Sequence, residues 1–212
     1  MKPSIRLLKI LTAPPASAHH EDVRPSAEDP QAQTVTRWRV LPCDIDLFGH
    51  MNNSRYALMM DFARVHYLRR AGLLTVALKQ RWVIPVSAVA LEFHRPLKPF
   101  QRFEISTQVL SWDDRWLFMR QTFQTREGPV RPVATGYVKT IIRSPAGSVA
   151  PAQLARLVCG RDVDPPALPD ELWARFRTPP RATSREPHAS EGKRLQDVSR
   201  VDVGLRRHAV AR

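Results

Sequence analysis

Between residues 34 and 143 the apolar positions change their period twice, and the changes outline a domain. Thr34 to Leu41 alternates apolar and polar residues, as a strand does, and Pro42 closes it. From Asn53 to Gly72 the spacing becomes helical. Leu58, Phe62 and Val65 fall on one stripe, and Met59, Met60, Ala63, Tyr67 and Leu68 extend the apolar cover most of the way round. A helix so covered requires burial on several sides, which a sheet curled around it supplies. Asn52 or Asn53 offers an N-cap, Gly72 a C-terminal stop, and Asp61 and Arg64 stand three apart, able to neutralise each other. The period then returns to 2. Val83 to Phe93, Phe103 to Leu110, Trp116 to Phe123 and Val133 to Ile142 read as strands, with turns at Lys98-Pro99, Asp113-Asp114 and Glu127-Gly128-Pro129. One strand, one long helix, then four strands predicts an α+β fold with a five-stranded antiparallel sheet wrapped around a central helix.

The flanks read differently. Residues 1–33 are polar and proline-bearing, a flexible segment with little apolar surface to bury. Within them, residues 1–12 set Lys2, Arg6 and Lys9 among aliphatic residues. That is a short basic amphipathic segment able to touch a membrane surface weakly, with a frayed terminus as the competing reading. Lys9 interrupts any signal-peptide core, and no apolar run approaches the ~20 residues that span a bilayer. Residues 146–178 predict a short helical extension, with helices over 152–158 and 169–176. Residues 179–212 predict a disordered basic tail.

The 212 residues fit one domain with tails, and 43% hydrophobic content is enough for a core in the middle segment. Two cysteines, Cys43 and Cys159, exclude a disulfide framework and a cysteine-based zinc cluster, and suggest reduced thiols in the cytoplasm. The net charge of +13 sits mainly on the core, where residues 35–145 hold 17 Lys and Arg against 8 Asp and Glu. Such a surface draws anionic partners such as coenzyme A phosphates, acidic carrier proteins or anionic lipid. Nucleic acid is not expected: Arg37-Trp38-Arg39 and Arg115-Trp116 fit strand alternation, and no recognised nucleic-acid motif is present.

The chemistry concentrates just before the helix. Asp44, Asp46, Gly49, His50, Asn52, Asn53 and Tyr56 lie within 13 residues. A carboxylate there sits near the positive end of a helix, where backbone N–H groups can hold a developing oxyanion. Each residue also has a plainer role: the aspartates as turn formers, His50 as a packed loop histidine, the asparagines as caps.

The spacing Asp-x-Asp-x-x-Gly-His-x-Asn-Asn-x-x-Tyr resembles the hotdog-fold acyl thioesterases of the 4-hydroxybenzoyl-CoA type. Val89 to Leu97, ending Arg95-Pro96-Leu97, is similar to the family's second strand, and the Trp112-Asp113-Asp114 turn to a hairpin of one branch. The resemblance covers residues 36–143. It implies a hotdog domain over 34–145 that hydrolyses an acyl thioester of coenzyme A or acyl carrier protein, without cofactor or metal, as a homodimer or homotetramer. It implies Asp44 as nucleophile or base by one assignment. By another it implies Asp46 with His50, although Phe48 replaces the amide expected between them. Gly49, Met51, Asn52 and Asn53 would supply oxyanion and substrate contacts. Glu92 and His94 would lie near a subunit contact. A hydratase would need Asp and His five apart with Asn-Pro between, and no such spacing occurs. A non-catalytic acyl-binding or membrane-associated scaffold on the same fold is the alternative function.

Overall fold

The structure is a computed structural model, and residues 32–125, 131–167 and 170–176 are described here. The amphipathic segment at 1–12, the turn at 127–129, Pro169 and the basic tail at 179–212 lie outside the described residues. Among the described residues six strands run β1 (Thr34–Arg39), β2 (Val86–Phe93), β3 (Arg102–Trp112), β4 (Trp116–Thr125), β5 (Pro132–Ser144) and β6 (Gly147–Val149). The long helix α1 (Asn53–Arg70) follows β1, and short helices α2 (Leu73–Lys79), α3 (Pro151–Cys159) and α4 (Asp170–Phe176) complete the body. All pairings are antiparallel, in the order β1-β3-β4-β5-β2, with β6 folded back on β5. The sheet curls around α1, the hotdog arrangement that the sequence predicts.

Period-2 burial defines the inner face. Phe103, Ile105, Thr107 and Val109 on β3 and Leu117, Met119, Gln121 and Phe123 on β4 are all buried. Against them α1 buries Tyr56, Met59, Met60, Phe62, Ala63 and Tyr67. Leu58, Val65 and Leu68 are only half-buried, so one side of the predicted apolar cover stays open. Gly136 on β5 lets α1 come close, because a Cβ there would lie 2.3 Å from the Met60 Cε.

Asn52 is the helix cap, its Oδ1 accepting from the Ser54 N–H at 2.9 Å. Gly72, at φ 74°, turns the chain into α2 rather than ending the helical region. The second strand starts later than its pattern suggests. Val83 forms only an isolated bridge to Arg143, and the register shifts between Val86 and Ala88. The Asp113 turn caps its hairpin, Oδ1 accepting from the N–H groups of Arg115 (2.8 Å) and Trp116 (2.6 Å).

Residues 146–176 are part of the same body. Phe176 packs on Phe118 with ring centroids 6.0 Å apart, and the Ser111 hydroxyl donates to the Pro166 carbonyl at 2.6 Å. The segment therefore covers part of the sheet's outer face.

Candidate functional site

The connection from β1 to α1 is a folded loop that uses its two aspartates differently. Pro42–Asp44 form a 3-10 turn, which swings Asp44 inward until it is 2% exposed. Its Oδ2 accepts from the Leu41 N–H at 2.9 Å, and its Oδ1 lies 3.9 Å from the Arg55 Nε. The Asp44 backbone carbonyl accepts from the Asn52 N–H at 2.8 Å. Arg55 also donates to the Cys43 carbonyl at 3.0 Å. One buried carboxylate thus ties the end of β1, the turn and the first helical turn together.

Asp46 stands at the other end of a short hairpin. Ile45 and Met51 form an antiparallel bridge, and the Asp46 N–H donates to the His50 carbonyl at 2.9 Å. This turn sets the backbones of Asp46 and His50 opposite each other, next to the Ile45–Met51 bridge. Both are half-exposed. Asp46 Oδ1 accepts from the Phe48 N–H at 2.9 Å, and the second oxygen has no partner among the described residues. Gly49 closes the turn at φ 78°, a conformation glycine adopts without penalty.

The expected oxyanion donors separate into used and available groups. The Gly49 N–H donates to the Asp46 carbonyl, the Met51 N–H to Leu97 and the Asn52 N–H to Asp44. The N–H groups of Asn53, the first helical residue, and of His50 have no acceptor among the described residues. Of these two, the Asn53 N–H lies at the positive end of the helix and the His50 N–H in the loop before it.

Just inside, Tyr56 is 2% exposed and makes an edge contact with Phe93, centroids 5.1 Å apart. Burial pushes its phenol pKa up, with a hydrogen bond to the Leu97 backbone pulling partly back. Glu92 pairs with Arg175 of α4, and His94 Nε2 lies 3.1 Å from the Thr135 hydroxyl. Within one chain both are engaged by neighbours of their own.

Further along α1 a cavity of about 450 Å³ opens between the helix and the sheet. Val65, Leu68, Ile84, Leu117 and Met119 give it apolar walls, and Asp61 and Arg64 bring charge to its rim. Asp61 stands eight residues after Asn53, or about 12 Å along the helix axis. Arg64 pairs with Asp61 as the sequence suggests, and donates to the Gln121 Oε1 at 2.7 Å. Burial lowers the Arg64 pKa to about 10. The fully buried Gln121 in turn donates to the Met60 carbonyl and the Thr107 hydroxyl.

Sequence reasoning missed Arg55 and this buried polar chain. Gln121 did leave a signal, as the one amide in the alternation Leu117, Met119, Gln121, Phe123. No group of three or more His, Cys, Asp or Glu among the described residues could hold a metal ion. Cys43 is exposed, Cys159 is buried, and no disulfide joins them.

Residues 40–176 match the thioesterase-like superfamily. Protein THEM6 of Danio rerio is 31% identical over 150 residues, 70% of this chain and 72% of that protein. Protein THEM6 of Xenopus laevis is 29% identical over 141 residues, 65% of each, so the chain spans about two thirds of these relatives' length. The crystal structure of a 4-hydroxybenzoyl CoA thioesterase, an aspartate-to-asparagine variant complexed with 4-hydroxybenzoyl CoA, superposes with a TM-score of 0.55. At 16% identity over 60% of this chain and 98% of that one, the likeness is one of fold.

Proposed function

Because this chain belongs to the thioesterase-like superfamily, we propose that it hydrolyses an acyl thioester of coenzyme A, with Asp46 as the reacting carboxylate. The observation that carries this reading is the contrast between the two aspartates. Asp44 is committed to holding the loop, whereas Asp46 has one oxygen fixed by the Phe48 N–H and the other available. A fixed, half-exposed carboxylate beside a helix start suits attack on a thioester carbonyl, or removal of a proton from the water that attacks it. The N–H groups of Asn53 and His50 would take the developing oxyanion. The tetrahedral intermediate then collapses, the C–S bond breaks, and the thiolate of coenzyme A leaves. If Asp46 attacked, water hydrolyses the resulting acyl–aspartyl anhydride to the free acid. If water attacked, the acid is released directly and the proton on Asp46 passes to the thiolate or to solvent. His50, opposite Asp46 in the hairpin, would position the water or the carbonyl.

The cavity along α1 suits the acyl body, since Asp61 at its lining stands about 12 Å along the helix from Asn53. The excess of Lys and Arg favours the carrier's phosphates. Assembly belongs to the same reading. β2 ends the sheet with Val86, Val89 and Phe93 exposed, an apolar edge that a second copy would cover. The direct experiment follows thiol release over coenzyme A thioesters of graded aliphatic length and of aromatic acids. Turnover on at least one class is expected. Tight acyl-CoA binding with no turnover on any would instead establish an acyl-binding scaffold.

A further inference from the structure

The end of the domain that carries the Asp46–His50 hairpin also presents large apolar side chains to solvent. Leu47 is 102% exposed and Phe48 85%, adjacent at the tip of the loop, and Phe100, on the loop after β2, is 60% exposed. The two regions are joined through the backbone. The Met51 N–H donates to the Leu97 carbonyl at 2.9 Å, and the Phe100 N–H to the Val40 carbonyl at 3.1 Å. Phe100 adopts φ +62°, a left-handed conformation that is strained for an aromatic residue. The ring it carries is mostly exposed and lies outside the hydrophobic core.

Beside the Leu47-Phe48 tip the half-exposed Asp46 is one carboxylate, while the charges around Phe100 are all positive. Arg39 and Arg102 stand directly opposite each other at the end of the β1–β3 ladder, both exposed. Like charges so placed repel unless an anion lies between them. Arg95 and Lys98 are exposed on the intervening loop, and residues 94–102 include no Asp or Glu.

We propose that this end of the domain docks on an anionic lipid surface. Leu47, Phe48 and Phe100 enter the boundary between headgroups and acyl chains, while Arg39, Arg95, Lys98 and Arg102 meet lipid phosphates and carboxylates. Exposed apolar tips on an end of the domain where four cations outnumber Asp46 combine the two forces that hold proteins at such surfaces. An acidic carrier protein matched by charge alone would have no use for a fully exposed Leu-Phe tip. The inference goes beyond the catalytic reading and stands or falls apart from it, since docking is measured without turnover.

The test is co-sedimentation of the full chain with phosphatidylcholine vesicles, with and without phosphatidylserine. Partitioning should require phosphatidylserine and weaken as salt rises. A chain carrying Leu47→Ser, Phe48→Ser and Phe100→Ser should unfold at the wild-type temperature yet partition roughly tenfold less or worse. A chain carrying Arg39→Gln and Arg102→Gln should lose roughly tenfold or more and show a shallower salt dependence. Equal partitioning of wild type and the serine variant overturns the proposal, as does absence of binding to either vesicle. So does a serine variant that changes oligomeric state by light scattering while keeping its lipid binding, which would make the tip an interface between copies.

Discussion

Removing the Asp44 carboxylate should loosen the loop before it touches the chemistry. The Leu41 N–H donates to this side chain at 2.9 Å, a charge-assisted bond of about 1.5–3 kcal/mol. Arg55 Nε stands 3.9 Å away, with the two side chains 34% and 3% exposed. Their attraction is about 4 kcal/mol at an effective dielectric constant of ~20, and desolvation of the buried carboxylate offsets much of it. Asp44→Ala also strands the Leu41 N–H, so a net loss of about 2–4 kcal/mol is expected, and about half of that for Asp44→Asn, whose amide oxygen still accepts. For a body of this size that lowers Tm by about 8–15 °C in the alanine variant. Circular dichroism melts give the stability, and thiol release well below both transitions, normalised to folded protein, gives the chemistry. Turnover per folded Asp44→Asn molecule should stay within about threefold of wild type. A variant that melts with wild type yet releases no thiol would transfer the reacting role to Asp44 and refute this division of labour.

Two further outcomes can be checked. The folded state raises the Tyr56 pKa above 10.0, so its contribution is complete below pH 10 and is lost as pH climbs through the folded value. Arg64, lowered to about 10 by burial, contributes the opposite slope in both proteins. Tyr56→Phe should therefore gain on wild type by up to about 1.4 kcal/mol per pH unit above pH 10 in urea titrations, and an unchanging difference would contradict the cause assigned to the shift. Val89→Lys places a charge on the exposed β2 edge, where Val89 is 45% exposed. In the proposed dimer, light scattering should show dissociation at roughly tenfold higher concentration or more, and a self-association left unchanged by the substitution would move the interface elsewhere.

The period of the apolar positions made most of the fold legible, because each inner strand has one buried face and α1 lies against several of them. Helix α2 was not foreseen. Gly72 reads as a stop, and seven residues after it are too few to show a period. The cover that residues 146–176 give the outer sheet was also hidden, since Ser111 and Pro166 meet only through the fold. At the site, the sequence marked the loop and its caps, and the family resemblance favoured Asp44 over Asp46 as the reacting carboxylate, whereas the geometry supports the proposal of Asp46. In a plain strand residues two apart share a face, which would have made the two equivalent. The 3-10 turn over Pro42–Asp44 breaks that alternation and sends one carboxylate inward. Likewise, nothing local reveals that the Met51 and Asn52 N–H groups are taken by Leu97 and Asp44.

The most direct measurement is thiol release by Asp46→Asn beside wild type on the best coenzyme A thioester. Asparagine keeps an oxygen for the Phe48 N–H and so preserves the turn while removing the base. The account predicts a fall in kcat of about 10²–10⁴-fold with an unchanged melting temperature and retained acyl-CoA binding. A variant that turns over within about threefold of wild type would contradict it.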